Sequence, residues 1–204
     1  MGKLVGLAVV IISAVCTTIS CHLMVSNKWV VNERQENEIE THLNTLGFFR
    51  QCIEYSGRST ITCDNYNAWV FSGSFPSWII AGRIFVFCSA ILGFFSTIAF
   101  LLGSDISTVY AKHDNKKKVL KRSASFGILI SAVLLLICAI WTFISVVQHY
   151  NDGALVANQS GQFGGSMSYI TGSATYICMV TAIFWVVTAG LAIFGTKNQN
   201  RREE

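Results

Sequence analysis

Proline and charge are scarce in this chain of 204 residues: it has one proline, and Asp, Glu, Lys and Arg make up 13% of it against 52% hydrophobic residues. A soluble domain carries about a quarter charged residues, so the shortage excludes an ordinary water-facing surface. Catalytic groups are equally thin. His22, His42, His113 and His149 are scattered, the few carboxylates show no metal-ligand spacing, and there is no glycine-rich phosphate loop of P-loop or dinucleotide type. The expectation is a protein that is not an enzyme and uses no metal or cofactor. Nucleic acid is not expected as a partner, because the basic residues abut apolar runs, where anionic lipid is the simpler attractant.

What is abundant is long apolar sequence. A helix crosses about 30 Å of hydrocarbon with roughly 20 apolar residues, and four runs reach that length. Leu4 to Val25 has no formal charge, Ser77 to Leu102 has only Arg83, near its start, and neither Ser123 to Val147 nor Met167 to Thr196 has any. These runs predict spans over 4–25, 77–102, 123–147 and 167–196. The first is longer than a signal-peptide apolar region of about 7 to 15 residues and ends in Leu23-Met24-Val25, not in a small-residue cleavage pattern. It is read as a retained helix.

The connectors are then 26–76, 103–122 and 148–166, followed by a tail, 197–204. Lys112, Lys116, Lys117, Lys118, Lys121 and Arg122 crowd the middle connector, whereas 148–166 has no Lys or Arg. Short cytoplasmic loops retain Lys and Arg. The middle connector, Lys3 and the tail residues Lys197, Arg201 and Arg202 are therefore assigned to the cytoplasm, and the other two connectors to the outside. The expected fold is a membrane all-α class, one domain over 1–204: a four-helix transmembrane bundle packed through Gly82, Gly93, Gly127, Gly172 and Gly190, with a small extracellular antiparallel sheet.

The sheet is inferred from the first outside loop. Five of the seven cysteines, Cys16, Cys21, Cys88, Cys138 and Cys178, fall inside spans, which leaves Cys52 and Cys63 as the pair in an oxidising compartment. Gly57-Arg58, midway between them, suits a type II′ hairpin turn. That register sets Cys52 opposite Cys63, within disulfide range. Phe49, Ile53 and Tyr55 alternate with Arg50 and Glu54, as in a strand with one covered face. Most strands are expected from the first outside loop, with an edge strand from the second.

Trp29 after the first span, then Gly47-Phe48-Phe49, then Cys52 and Cys63, resemble the signature of the claudin superfamily, which includes the peripheral and epithelial membrane proteins and the regulatory gamma subunits of channels. There the pattern is Trp, then Gly-Leu-Trp, then two cysteines. Phe48-Phe49 in place of Leu-Trp points to a divergent claudin-like branch, such as the nematode claudin-like proteins. Arg83 matches a claudin arginine at the outer start of the second helix. The stretch from Tyr66 through Trp69, Val70 and Phe71 to Pro76 resembles the short extracellular helix that precedes it, and Gly165 to Tyr169 with Gly172 resembles the family's small-residue and tyrosine segment near the fourth helix.

The resemblance implies roles. Trp29, Phe48 and Phe49 would seat the sheet on the bundle, and Arg83 would clasp the sheet to its helix while its guanidinium snorkels to the interface. Asp64, directly after the second cysteine, occupies the place where channel-forming claudins set ion selectivity, and a carboxylate there favours cations. Trp69, Val70 and Phe71 serve equally for side-by-side contact or for dipping into lipid. Phe163 is a candidate contact with the facing cell. Asn158-Gln159-Ser160 is an N-glycosylation sequon.

The expected function is cell-cell adhesion and a paracellular permeability barrier, with cation-selective conductance, at junctions of the plasma membrane. The expected partners are membrane lipid and other claudin-like chains in cis and in trans. The alternative is an auxiliary subunit that grips an ion channel or receptor. The ending Arg201-Arg202-Glu203-Glu204 lacks the hydrophobic terminus that scaffold-binding claudins carry, and the cytoplasmic juxtamembrane segments lack cysteines for palmitoylation. A tetraspanin or gap-junction protein is disfavoured, because the second outside loop has no Cys-Cys-Gly motif and no paired cysteines.

Overall fold

The computed structural model describes residues 3–37, 40–55, 61–65, 77–104, 107, 114–160 and 167–200. Their elements run α1 (Lys3–Val25), β1 (Val30–Asn37), β2 (Glu40–Leu46), β3 (Arg50–Tyr55), β4 (Ile61–Asn65), α2 (Ser77–Gly103), α3 (Asp114–Ser160), β5 (Met167–Thr171) and α4 (Ser173–Asn200). Each helix contains a segment long and apolar enough to cross a membrane: Leu4–Val25, Ile79–Gly103, Asn115–Gln148 and Ser173–Phe194. Even the 22-residue segments reach about 33 Å at about 1.5 Å per residue. This is a multi-pass membrane protein.

The distribution of side chains agrees with lipid as the solvent. Ser13, Ser20, Ala132 and Ala139 are buried, while Phe95 is 64% exposed and Phe194 70% exposed. Water would select the reverse. Two of the buried hydroxyls are satisfied locally, Thr17 donating to the Ser13 carbonyl at 2.9 Å and Ser20 to that of Cys16 at 2.8 Å. Each returns to the carbonyl one turn back, which lets small polar residues sit inside an apolar bundle.

The chain forms two compact units, one of residues 1–21, 85–136 and 179–204 and the other of 22–84 and 137–178. The first is a four-helix bundle. Its core joins Val9 of α1, Phe100 of α2, Ala124 and Ile128 of α3, and Ala189 and Ala192 of α4. Cys16, Ala132 and Trp185 form a second cluster. The indole of Trp185 lies where a Cβ on Gly93 would be, so that glycine is what admits the ring. Ser89 donates to the Ser131 carbonyl at 2.9 Å, and the hydroxyls of Ser13 and Thr97 share a hydrogen bond at 2.6 Å.

The second unit contains the sheet, five antiparallel strands in the order β4-β3-β2-β1-β5. Four strands come from the connector between α1 and α2 and meander. The fifth comes from the segment before α4 and pairs with β1, Val30 facing Thr171 and Arg34 facing Met167.

Three expectations are corrected. The helix expected over 123–147 is α3, which is 47 residues long and runs from Asp114 through Ser160. Most of the expected second loop is thus helical, because falling hydropathy marks the edge of the lipid and not the end of a helix, which here continues through Gly153 to Ser160. The span expected from Met167 begins instead at Ser173, and Met167–Thr171 is strand β5. Gly190, expected as a packing contact, has nothing within 4 Å of the place a Cβ would take.

Candidate functional site at the anchored turn of the sheet

The last carbonyls of a helix have no partner within it. In α1 the carbonyl of Leu23 is taken by the indole Nε1–H of Trp29 at 2.9 Å, which turns the chain from helix toward strand. Trp29 is fully buried and its ring meets that of Phe48, centroids 4.1 Å apart and planes tilted by 34°. Phe48 belongs to the turn between β2 and β3, which the Gly47 amide closes by donating to the Arg50 carbonyl at 2.9 Å. The Ser26 carbonyl and Asn27 occupy the space a side chain at position 47 would need.

Helix α2 also meets the Phe48 ring. Gly82 lies directly against it, so any Cβ there would enter the ring. Next in sequence, Arg83 donates from Nε to the Phe48 carbonyl at 2.6 Å, and its guanidinium carbon stands 5.0 Å from the centre of the Phe49 ring. Arg83 is only 8% exposed. A charge in an apolar helix needs such company, an acceptor in the guanidinium plane and an aromatic face against it. The guanidinium is buried against the turn and bonds a loop carbonyl.

The strands that follow are cross-linked. Cys52 of β3 and Cys63 of β4 face each other in register and are joined by a disulfide, Cα atoms 4.1 Å apart. The Asn27 side chain donates to the Thr45 hydroxyl at 3.0 Å, which donates in turn to the Cys52 carbonyl at 3.3 Å. The chain just after α1 is thereby tied to both β2 and β3.

A second attachment, which sequence reasoning missed, lies at the start of α4. The Gly172 amide donates to the Trp29 carbonyl at 2.8 Å and the Ala174 amide to the Lys28 carbonyl at 2.9 Å. The Thr175 hydroxyl also reaches the Trp29 carbonyl, at 3.1 Å. Residues 28 and 29 thus accept from the amide just before α4 and from one amide of its first turn, that of Ala174. Gly172 is small for this reason and not for helix packing, since a Cβ would strike the Lys28 carbonyl. Backbone acceptors carry no side-chain signal, which is why composition and spacing passed over them.

Trp29, Gly47, Phe48, Phe49, Cys52, Cys63 and Arg83 are therefore brought together. Asp64 lies in β4 next to the disulfide, opposite Gln51. Asn158 lies near the end of α3 and not in a loop. Trp69, Val70, Phe71, Phe163 and the expected Gly57-Arg58 turn are outside the described residues. Chemically the arrangement binds and holds: hydrogen bonds, a ring stack, a cation over a ring and a covalent link fix the sheet to the helix ends within its unit. No protein-family model matches the chain, and no curated protein matches it.

Proposed function

We propose that the chain is a divergent claudin-like protein that forms adhesive, permeability-limiting contacts between neighbouring cells. What carries this reading is the single anchored turn in which Trp29, Gly47, Phe48 and Arg83 meet beside the Cys52–Cys63 bridge. In this reading both termini and the basic connector face the cytoplasm and the sheet faces outward in the plasma membrane. The Lys and Arg asymmetry supports it, as does the disulfide, which belongs to an oxidising compartment.

Within this reading Asp64 sets a preference for cations in the intercellular space, Trp69, Val70 and Phe71 supply contacts within one membrane, and Phe163 meets the facing cell. Glycan at Asn158 would limit how closely the two membranes approach.

Expression in cells that lack junctional strands tests the proposal. Freeze-fracture imaging should show strands at cell contacts, and transepithelial resistance should change. Diffuse surface protein that copurifies with a channel would overturn it in favour of an auxiliary subunit.

A further inference from the structure

The basic residues between α2 and α3 were expected in a connector, but from Lys116 onward they are helical and continuous with the span. Their position on the helix is informative. Along α3 the exposed residues Val119, Phe126, Ile130 and Val133 recur at helical spacing, and Arg122 falls on the same stripe between Val119 and Phe126. Extended one turn toward the N-terminus, the stripe reaches exposed Lys116. Exposed Lys118 precedes Arg122 by one turn, and Lys121, on another side, is buried against Gly103 at the end of α2.

From this we infer that Lys116, Lys118 and Arg122 form a binding site for the headgroups of anionic phospholipids, with polyphosphorylated inositol lipids held most tightly. The side that carries these charges becomes the acyl-facing side within a turn, Arg122 and Phe126 being about 6 Å apart along the axis at about 1.5 Å per residue. Val119, 69% exposed between the basic residues, suits the boundary between headgroup and acyl chain. A soluble acidic partner would meet the charges alone. A lipid satisfies charge and apolar stripe together, phosphate on the cations and tails along Phe126 and Ile130. A rigid helix also fixes the charges at one depth, as a flexible loop would not. Only the choice of leaflet rests on the topology proposed above.

The test uses the full-length protein in nanodiscs of phosphatidylcholine, alone or doped with phosphatidylserine or phosphatidylinositol bisphosphate, with retained lipid counted by native mass spectrometry. The wild type should retain the bisphosphate lipid over phosphatidylcholine, less so as salt rises. Each of Lys116→Gln, Lys118→Gln and Arg122→Gln should weaken retention about fivefold, and the three together roughly a hundredfold. Lys28→Gln with Arg50→Gln, exposed basic residues elsewhere, should leave it unchanged. Equal retention by the triple variant, with size-exclusion and melting behaviour like the wild type, would overturn the proposal. So would displacement of the lipid by soluble inositol hexakisphosphate at equal concentration. Both faces of a nanodisc carry the same lipid, so a failure of the topology is read separately, by which side of intact cells labels Asn115→Cys.

Discussion

Inside its apolar helix the Arg83 guanidinium is held at two points, its Nε–H on the Phe48 carbonyl and its flat face over the Phe49 ring. Lysine keeps the charge but has neither the Nε–H nor the flat face. Arg83→Lys should lower stability by about 1–3 kcal/mol, read as a lower melting temperature of the detergent-solubilised protein; an unchanged melt would show that the clasp is not used. Cys52→Ser should cost about 2–4 kcal/mol, because the unfolded chain regains the freedom that the cross-link removed. Reductant should lower the wild-type melt toward that of the variant and leave the variant where it is. At this scale the sequence was informative, since Trp29, Phe48, Arg83 and the two cysteines announce their chemistry by side-chain type. Glycine does not: Gly82 and Gly190 look alike in sequence, and only the fold brings Phe48 to one and leaves the other open.

Elements were legible where hydropathy and structure change together and obscure where they part. The uncharged run from Met167 gives no sign that its first residues pair with β1 while α4 waits for Ser173, because strand and helix there are both uncharged and hydrogen bonding is what separates them. The same holds for α3, whose helix outlasts its apolar segment at both ends of the expected span. Packing within the bundle gives a matched pair of predictions. Gly93→Ala drives a methyl into the Trp185 indole and should destabilise the bundle by about 1–3 kcal/mol. Gly190→Ala meets nothing and should be neutral or stabilising by up to about 1 kcal/mol through helix propensity. Parallel thermal melts of the two variants in one detergent check this, and equal losses would contradict it.

For the whole molecule, the four membrane-spanning helices of the described residues, their order and the presence of a sheet could all be read from apolar run length, strand alternation and cysteine placement. The joint between the start of α4 and residues 28 and 29 could not, since it is made of backbone. If the proposed intercellular role holds, Asp64→Lys in a reconstituted epithelial layer should reverse the preference for sodium over chloride, by replacing an attractive charge with a repulsive one. Unchanged dilution potentials would remove Asp64 from that role.

The joint between Trp29 and Thr175 also orders events during synthesis. The two residues are 146 positions apart, so at ribosomal speeds roughly 7 to 30 s separate their appearance. The hairpin of β3 and β4 is local and can oxidise early, while β1 keeps an open edge until β5, just ahead of α4, has been made. A chain stalled late in translation would present that edge to chaperones. Lesions near Gly172 are therefore expected to appear as retention and degradation of newly made protein before any loss of stability is seen in molecules that mature.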